Sequence, residues 1–219
     1  MRQKLFTSAV ALAVAAVLAT SAFAAPTYEA SLDGLARGWA HANYEIQDNG
    51  AKAGEAARLA AQADALARQN PGKAEPLVWE AILLATEAGA KGGLGALPLV
   101  KQSRDLLERA ERINPKALGD GSVYTSLGSL YSQVPGFPIG FGDPAKARAY
   151  LGKALALNPT GIDPNFFYGD FLYRQHDYAG AETALKRALA APPRPGREVA
   201  DRGRRAEASA LLAKVKAKL

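Results

Sequence analysis

Tyr124, Leu127, Gly128 and Tyr131 stand at offsets 0, 3, 4 and 7, a spacing that belongs to a helix. Residues three and four apart share one helix face. Leu127 and the two tyrosines therefore form a single apolar stripe, and Gly128 in its middle lets a second helix come close. Asp143-Pro144 then opens a second pattern, Ala147, Leu151 and Ala154, which ends at Asn158-Pro159. Asp as an N-cap with Pro in the first turn starts a helix. Asn-Pro stops one, since Asn tolerates a left-handed cap and Pro cannot continue. The result is a helical hairpin that cannot bury its stripes alone and must stack on similar neighbours.

Such neighbours are present. Gly169 lies ten residues past Pro159, and Ala181, Leu185, Ala188 and Pro193 then repeat the mutual spacing of Ala147, Leu151, Ala154 and Pro159. Tyr168 and Leu172 stand where Leu127 and Tyr131 stood. Upstream, Leu77, Ala81 and Leu84 followed by Ser103, Leu107 and Ala110 give a third hairpin ending at Asn114-Pro115, and Asn70-Pro71 closes a degenerate pair carrying Leu35, Trp39 and Tyr44. The pattern Tyr124-x2-Leu127-Gly128-x2-Tyr131 with Ala147-x3-Leu151-x2-Ala154 resembles the tetratricopeptide repeat. That resemblance implies an all-α solenoid of helix-turn-helix units, a right-handed superhelix with a C-terminal capping helix. The expected organisation is a secretory signal peptide over 1–24, a degenerate helical pair over 25–73, three repeats over 74–197 and a capping helix over 198–219. Glycine-rich insertions are expected at 87–100 and 132–144.

The start of the chain carries its own signal. Arg2 and Lys4 precede an apolar stretch from Leu5 to Leu18 and then Ser21-Ala-Phe-Ala24, the charged, apolar and small-residue regions of a cleaved export signal. Periplasmic localisation is therefore expected, with no stable membrane anchor. Cleavage would remove two basic residues and lower the formal charge from +6 to +4. With no cysteine in the chain, there is no disulfide, thiolate nucleophile or lipid-acceptor thiol. Basic residues crowd the last helix, where lysines suit the negative end of the helix dipole. Export and the absence of a recognition motif argue against nucleic acid.

A search for catalytic chemistry finds little. His41 and His176 lie far apart and match no zinc-binding spacing. Gly93-x-Gly95 lacks a third glycine and a preceding strand. No catalytic residue, metal site or cofactor is expected, and the chain reads as a binding protein rather than an enzyme. The repeat resemblance places groove-lining residues on the first helix of each hairpin: Thr125, Ser129, Ser132 and Gln133; Phe166, Asp170, Tyr173 and Arg174; and Val78, Ile82 and Thr86. Phe137, Ile139 and Phe141 are apolar residues in the 132–144 insertion, placed either to tuck onto the solenoid or to meet a partner. A groove graded from apolar to charged suits a peptide, a helix or an amphipathic small ligand.

A narrower likeness covers Tyr124 to Leu212. The loop Pro135-Gly-Phe-Pro-Ile-Gly-Phe-Gly-Asp143, the segment Asn158 to Asp170 and the arginine-rich run from Ala190 to Ala206 resemble periplasmic proteins related to the T component of tripartite ATP-independent periplasmic (TRAP) transporters. This likeness implies a periplasmic solute-binding protein as partner and a role in passing a hydrophobic ligand. Members of that group are often lipid-anchored, whereas this chain lacks the cysteine.

Overall fold

A computed structural model describes residues 26–219; the expected signal peptide lies outside them. Among the described residues there are nine α-helices, one 3-10 turn and no strand. They run α1 Tyr28–Tyr44, α2 Asn49–Gln69, α3 Glu75–Lys91, the 3-10 turn Leu94–Ala96, α4 Leu97–Ile113, α5 Ser122–Gln133, α6 Pro144–Leu157, α7 Ile162–Arg174, α8 Tyr178–Ala190 and α9 Glu198–Lys216. Consecutive helices pair as hairpins, and each hairpin stacks on the next. The fold is an all-α repeat solenoid.

The glycines of the motif sit where the hairpins are tightest. A Cβ on Gly128 would lie 2.5 Å from Leu151 Cγ, and one on Gly169 would lie 2.8 Å from Leu185 Cγ. Leu127, Leu151, Phe171 and Leu185 around them are fully buried, each contributing about 1.5–3 kcal/mol of apolar burial. Helix starts follow the local code. Thr27, Asp48, Asp143 and Asp177 accept backbone N–H groups of α1, α2, α6 and α8, satisfying donors that the helix leaves free.

The second-helix ends differ from expectation. Asn70, Asn114 and Asn158 have φ of −127°, −155° and −141°, so none is left-handed. The following proline pushes its predecessor towards extended backbone. Their side chains are used instead: Asn70 Nδ2 donates to the Leu66 carbonyl, and Asn158 Nδ2 donates across to the Asp120 carbonyl. Outside the glycines, left-handed backbone falls at Leu118 (φ 67°) and, at the end of α7, at His176 (φ 61°). There Asp177 N–H bonds the Leu172 carbonyl and His176 N–H bonds the Tyr173 carbonyl, the paired bonds of a Schellman turn.

The insertion expected at 87–100 is mostly helix. α3 continues to Lys91 with Gly89 inside it, and α4 begins at Leu97 with Pro98 in its first turn. Proline is tolerated there because that N–H has no helical partner. Between Gln133 and Pro144 the chain is a loop.

The first helices of the hairpins line the inner side of the stack, and here the two ends meet. α1 packs on α3, α3 on α5, α5 on α7 and α7 on α9, and α9 returns to α1. Tyr44 and Gly203 are in close contact at this seam; any Cβ at position 203 would fall within the Tyr44 ring. Tyr44 Oη donates to Glu207 at 3.3 Å, and Arg202 pairs with Glu45 at 3.6 Å. The inner helices therefore form a closed ring, with α2, α4, α6 and α8 outside it.

Candidate functional site

The inner helices line an open-mouthed cavity of about 470 Å³. Its wall repeats with the hairpins. Ile82, Ser129 and Asp170, each one residue past Ala81, Gly128 and Gly169, hold one level, forty-seven and forty-one residues apart. Thr86, Gln133 and Arg174 hold the next, a helical turn on. Thr125 and Phe166 hold the level before, where Val78 of α3 is fully buried. The hairpins thus present equivalent positions to one space, as stacked repeats must.

At one end the wall is aromatic. Trp39 and Trp79 lie 6.3 Å apart between ring centroids, and Phe166 and Phe167 meet edge-on at 5.2 Å. Trp39 Nε1 donates to Thr86 Oγ1 at 3.0 Å, which itself donates to the Ile82 carbonyl. This chain of bonds fixes the indole against α3.

Charge is concentrated where α7 meets α9. Arg204, only 6 % exposed, donates to Asp163 at 2.8 Å and to Glu207 at 2.6 Å. Its guanidinium also lies 4.6 Å from both the Phe166 and Phe167 rings. Arg194 bridges Asp163 and Asp201. Burial favours loss of the Arg204 charge, but Asp163 and its other acidic neighbours outweigh it and raise its proton affinity. Burial likewise opposes the Asp163 charge, yet Arg204 and Arg194 hold that carboxyl below the usual range.

Two wall groups lack such partners. Thr125 is 4 % exposed, and its Oγ1 makes no hydrogen bond; neither does the buried Arg197 Nε. Arg197 lies over Trp79 at 5.5 Å. Its proton affinity is lowered by burial and by Arg194, against the pull of Asp163, Asp120 and Asp201. Asp120 is raised by its own burial, although Ser122 N–H and Oγ–H donate to it.

The residues read from the sequence divide among three places. Thr125, Ser129, Gln133, Phe166, Asp170 and Arg174 line the cavity, with Gln133 donating to Ser129 and Arg174 paired to Asp170. Tyr173 does not line it; half-buried, it packs against Tyr178 at 5.8 Å. It stands one residue before Arg174 and three after Asp170, and the step of about 100° from Arg174 turns it to the α8 side. Val78 is fully buried and leaves the lining to Ile82 and Thr86. Of the loop residues, Phe141 tucks in, edge-on to Tyr131 at 5.5 Å and 4.6 Å from the Arg104 guanidinium.

Phe137 and Ile139 point outward, 93 % and 54 % exposed, as does Leu94 at 73 %. Leu94 and Ile139 flank a second, apolar cleft with Leu97, Val100, Val134 and Pro135. This cleft adjoins the cavity through Ala85, Gly89, Ser129, Leu130 and Gln133, which line both. Trp39, Trp79, Lys52, Arg197 and Arg204 are cavity residues that the repeat pattern did not single out. Trp39, Arg197 and Arg204 reach the cavity from α1 and the start of α9, which close the ring, Lys52 from the first turn of α2 and Trp79 from α3. Among the described residues no cluster of His, Asp and Glu could hold a metal ion, and no helix is long and apolar enough to cross a membrane.

An all-α repeat array with an apolar cleft beside a lined cavity is the architecture of a binding scaffold. Residues 139–200, from the loop through α6, α7 and α8 to the start of α9, match the family model described as tetratricopeptide repeat. The fold is similar to a thermophilic tetratricopeptide repeat protein of Thermus thermophilus, with 16 % identity, 84 % of this chain and 100 % of that chain covered, and a TM-score of 0.43. It is also similar to pilF of Pseudomonas aeruginosa, with 15 % identity, 86 % and 93 % of the two chains covered, and a TM-score of 0.35. Comparison with curated protein sequences returns no match.

Proposed function

We propose that the chain is an exported periplasmic scaffold that binds a protein partner at the edge of its concave face. The supporting observation is the exposure of Leu94 and Ile139 on the rim of an apolar cleft, with Phe137 exposed two residues from Ile139. Three large apolar side chains held in water on one edge cost solvation that a partner's apolar surface would recover. The Pro- and Gly-rich loop carrying two of them is anchored by Phe141 and by the Asp143 N–H bond to the Tyr131 carbonyl. Its tip is therefore presented from a fixed base, with little ordering cost on binding.

The test is capture from periplasmic extract with the wild-type chain and with a Leu94→Ser, Phe137→Ser, Ile139→Ser variant. The expected result is a protein retained by the wild type and lost by the variant at unchanged melting temperature. Equal retention by both would remove the cleft from the interface. A solute-binding protein as the retained partner would favour the TRAP-related reading, which the apolar cleft continuous with the cavity supports as a route for a hydrophobic ligand.

A further inference from the structure

The cavity wall carries four cationic side chains, Lys52, Arg174, Arg197 and Arg204. Three are engaged: Arg174 by Asp170, Arg204 by Asp163 and Glu207, and Lys52 by the Asn43 carbonyl. Arg197 makes no ion pair or side-chain hydrogen bond within the described residues, and its Nε is buried. A buried donor without an acceptor is costly, and native structures rarely retain one without a use. Thr125 Oγ1, also unbonded, lies in the same wall.

The acids facing Arg197 are already committed. Asp163 and Asp201 are held by Arg194 and Arg204, and Asp120 by Ser122. The guanidinium lies at the aromatic end, over Trp79. A guanidinium fork matches a planar carboxylate in a bidentate fashion. Asp120 and Glu207 in the same wall would repel a second negative charge, which favours a monoanion over phosphate. A volume of about 470 Å³ suits a small ligand.

We infer that the cavity binds a small monocarboxylate with an apolar body, its carboxylate on Arg197 and its body against Trp39, Trp79 and Phe166. This does not rest on the protein-binding reading, since Leu94, Phe137 and Ile139, which carry that reading, are not among the side chains that would hold the acid. The chain's two tryptophans both line the cavity, so their emission reports its occupancy directly.

The experiment titrates the purified full chain with decanoate and 4-phenylbutyrate, each against its uncharged primary amide, by tryptophan fluorescence and calorimetry. At least one acid is expected to change the emission and to bind about tenfold or more tightly than its amide. Arg197→Met should abolish that preference without lowering the melting temperature, and Arg197→Lys should keep part of it. The proposal is overturned if neither acid binds better than its amide, if the Met variant keeps the preference, or if inorganic phosphate competes as strongly as the acids. Should the Met variant fail to fold, the Lys variant decides: undiminished preference there overturns the role of the guanidinium fork. The Leu94, Phe137 and Ile139 variant should bind the acid normally, so failure of one reading is distinguishable from failure of the other.

Discussion

Arg204 and Arg197 sit seven residues apart near the start of α9, and both face the inside of the ring. Arg204 is matched completely, with two carboxylates at hydrogen-bond distance and the Phe166 and Phe167 rings both 4.6 Å away. Arg197 has the Trp79 face and no acceptor for its buried Nε. The contrast extends across the molecule. Along the α7–α9–α1 seam Arg194, Arg204, Asp163 and Asp201 are paired, whereas Glu80 of α3 has one long bond of 3.4 Å from Gln102 and Thr125 of α5 has none. A matched buried charge holds the fold together. An unmatched one weakens it, and its persistence points to something outside the chain.

The contrast can be broken by substitution. Arg204→Met, which leaves Asp163 and Glu207 short of a partner, should cost about 3 kcal/mol, read as a lower denaturation midpoint. It should also free Tyr44 at the seam. Glu80 gives the next largest effect. It is 6 % exposed, and burial, with repulsion from Asp64, pushes its carboxyl up to about 7 from 4.5. Between those values the folded chain keeps a proton that the unfolded chain has released. Stability should therefore fall as pH rises through that window, by at most roughly 3 kcal/mol. Glu80→Gln should flatten that part of the stability–pH curve and be the more stable form at pH 8. A slope unchanged in the variant would move the titration elsewhere.

Arg197→Met should go the opposite way from Arg204→Met. Removing a half-buried guanidinium whose buried Nε is unbonded should stabilise by up to about 1 kcal/mol, a rise of at most roughly 2–4 °C in melting temperature. A fall like that of Arg204→Met would erase the distinction between the two arginines. Thr125→Val, which removes an unbonded hydroxyl at similar volume, should be the smallest change, neutral or stabilising by under about 1 kcal/mol. A clear loss there would mean that the hydroxyl has a native partner.

Much of the fold was legible because it is local. Leu127, Gly128 and Tyr131 fix a helix face and a close contact within one hairpin, and prolines at matching offsets mark the next. The polar lining residues of α5 and α7 follow from the same register, which is why Thr125, Ser129, Asp170 and Arg174 were visible and Tyr173 missed by one position. Helix boundaries around 87–100 were misread because Gly89 is tolerated inside α3 and Pro98 in a first turn, so neither residue breaks the helix it sits in. The seam was not legible. Tyr44 meets Glu207 across 163 residues, and no periodicity within a hairpin encodes such a contact. Trp39, Arg197 and Arg204 acquire their places only when that contact forms, so the aromatic and ionic end of the cavity stayed hidden with it.

Ring closure also fixes a count. An open array of hairpins can gain or lose a unit at either end and remain an array, because each unit touches only its neighbours. Here an added or deleted hairpin would carry α9 away from α1, separating Tyr44 from Gly203 and Glu207. Residues 28–216 therefore behave as a set number of parts, and their most distant contact is made only after every intervening hairpin is in place. Joining those ends carries a loop-closure entropy that local stacking does not. In folding, the last event along this chain should be the meeting of its first and final helices.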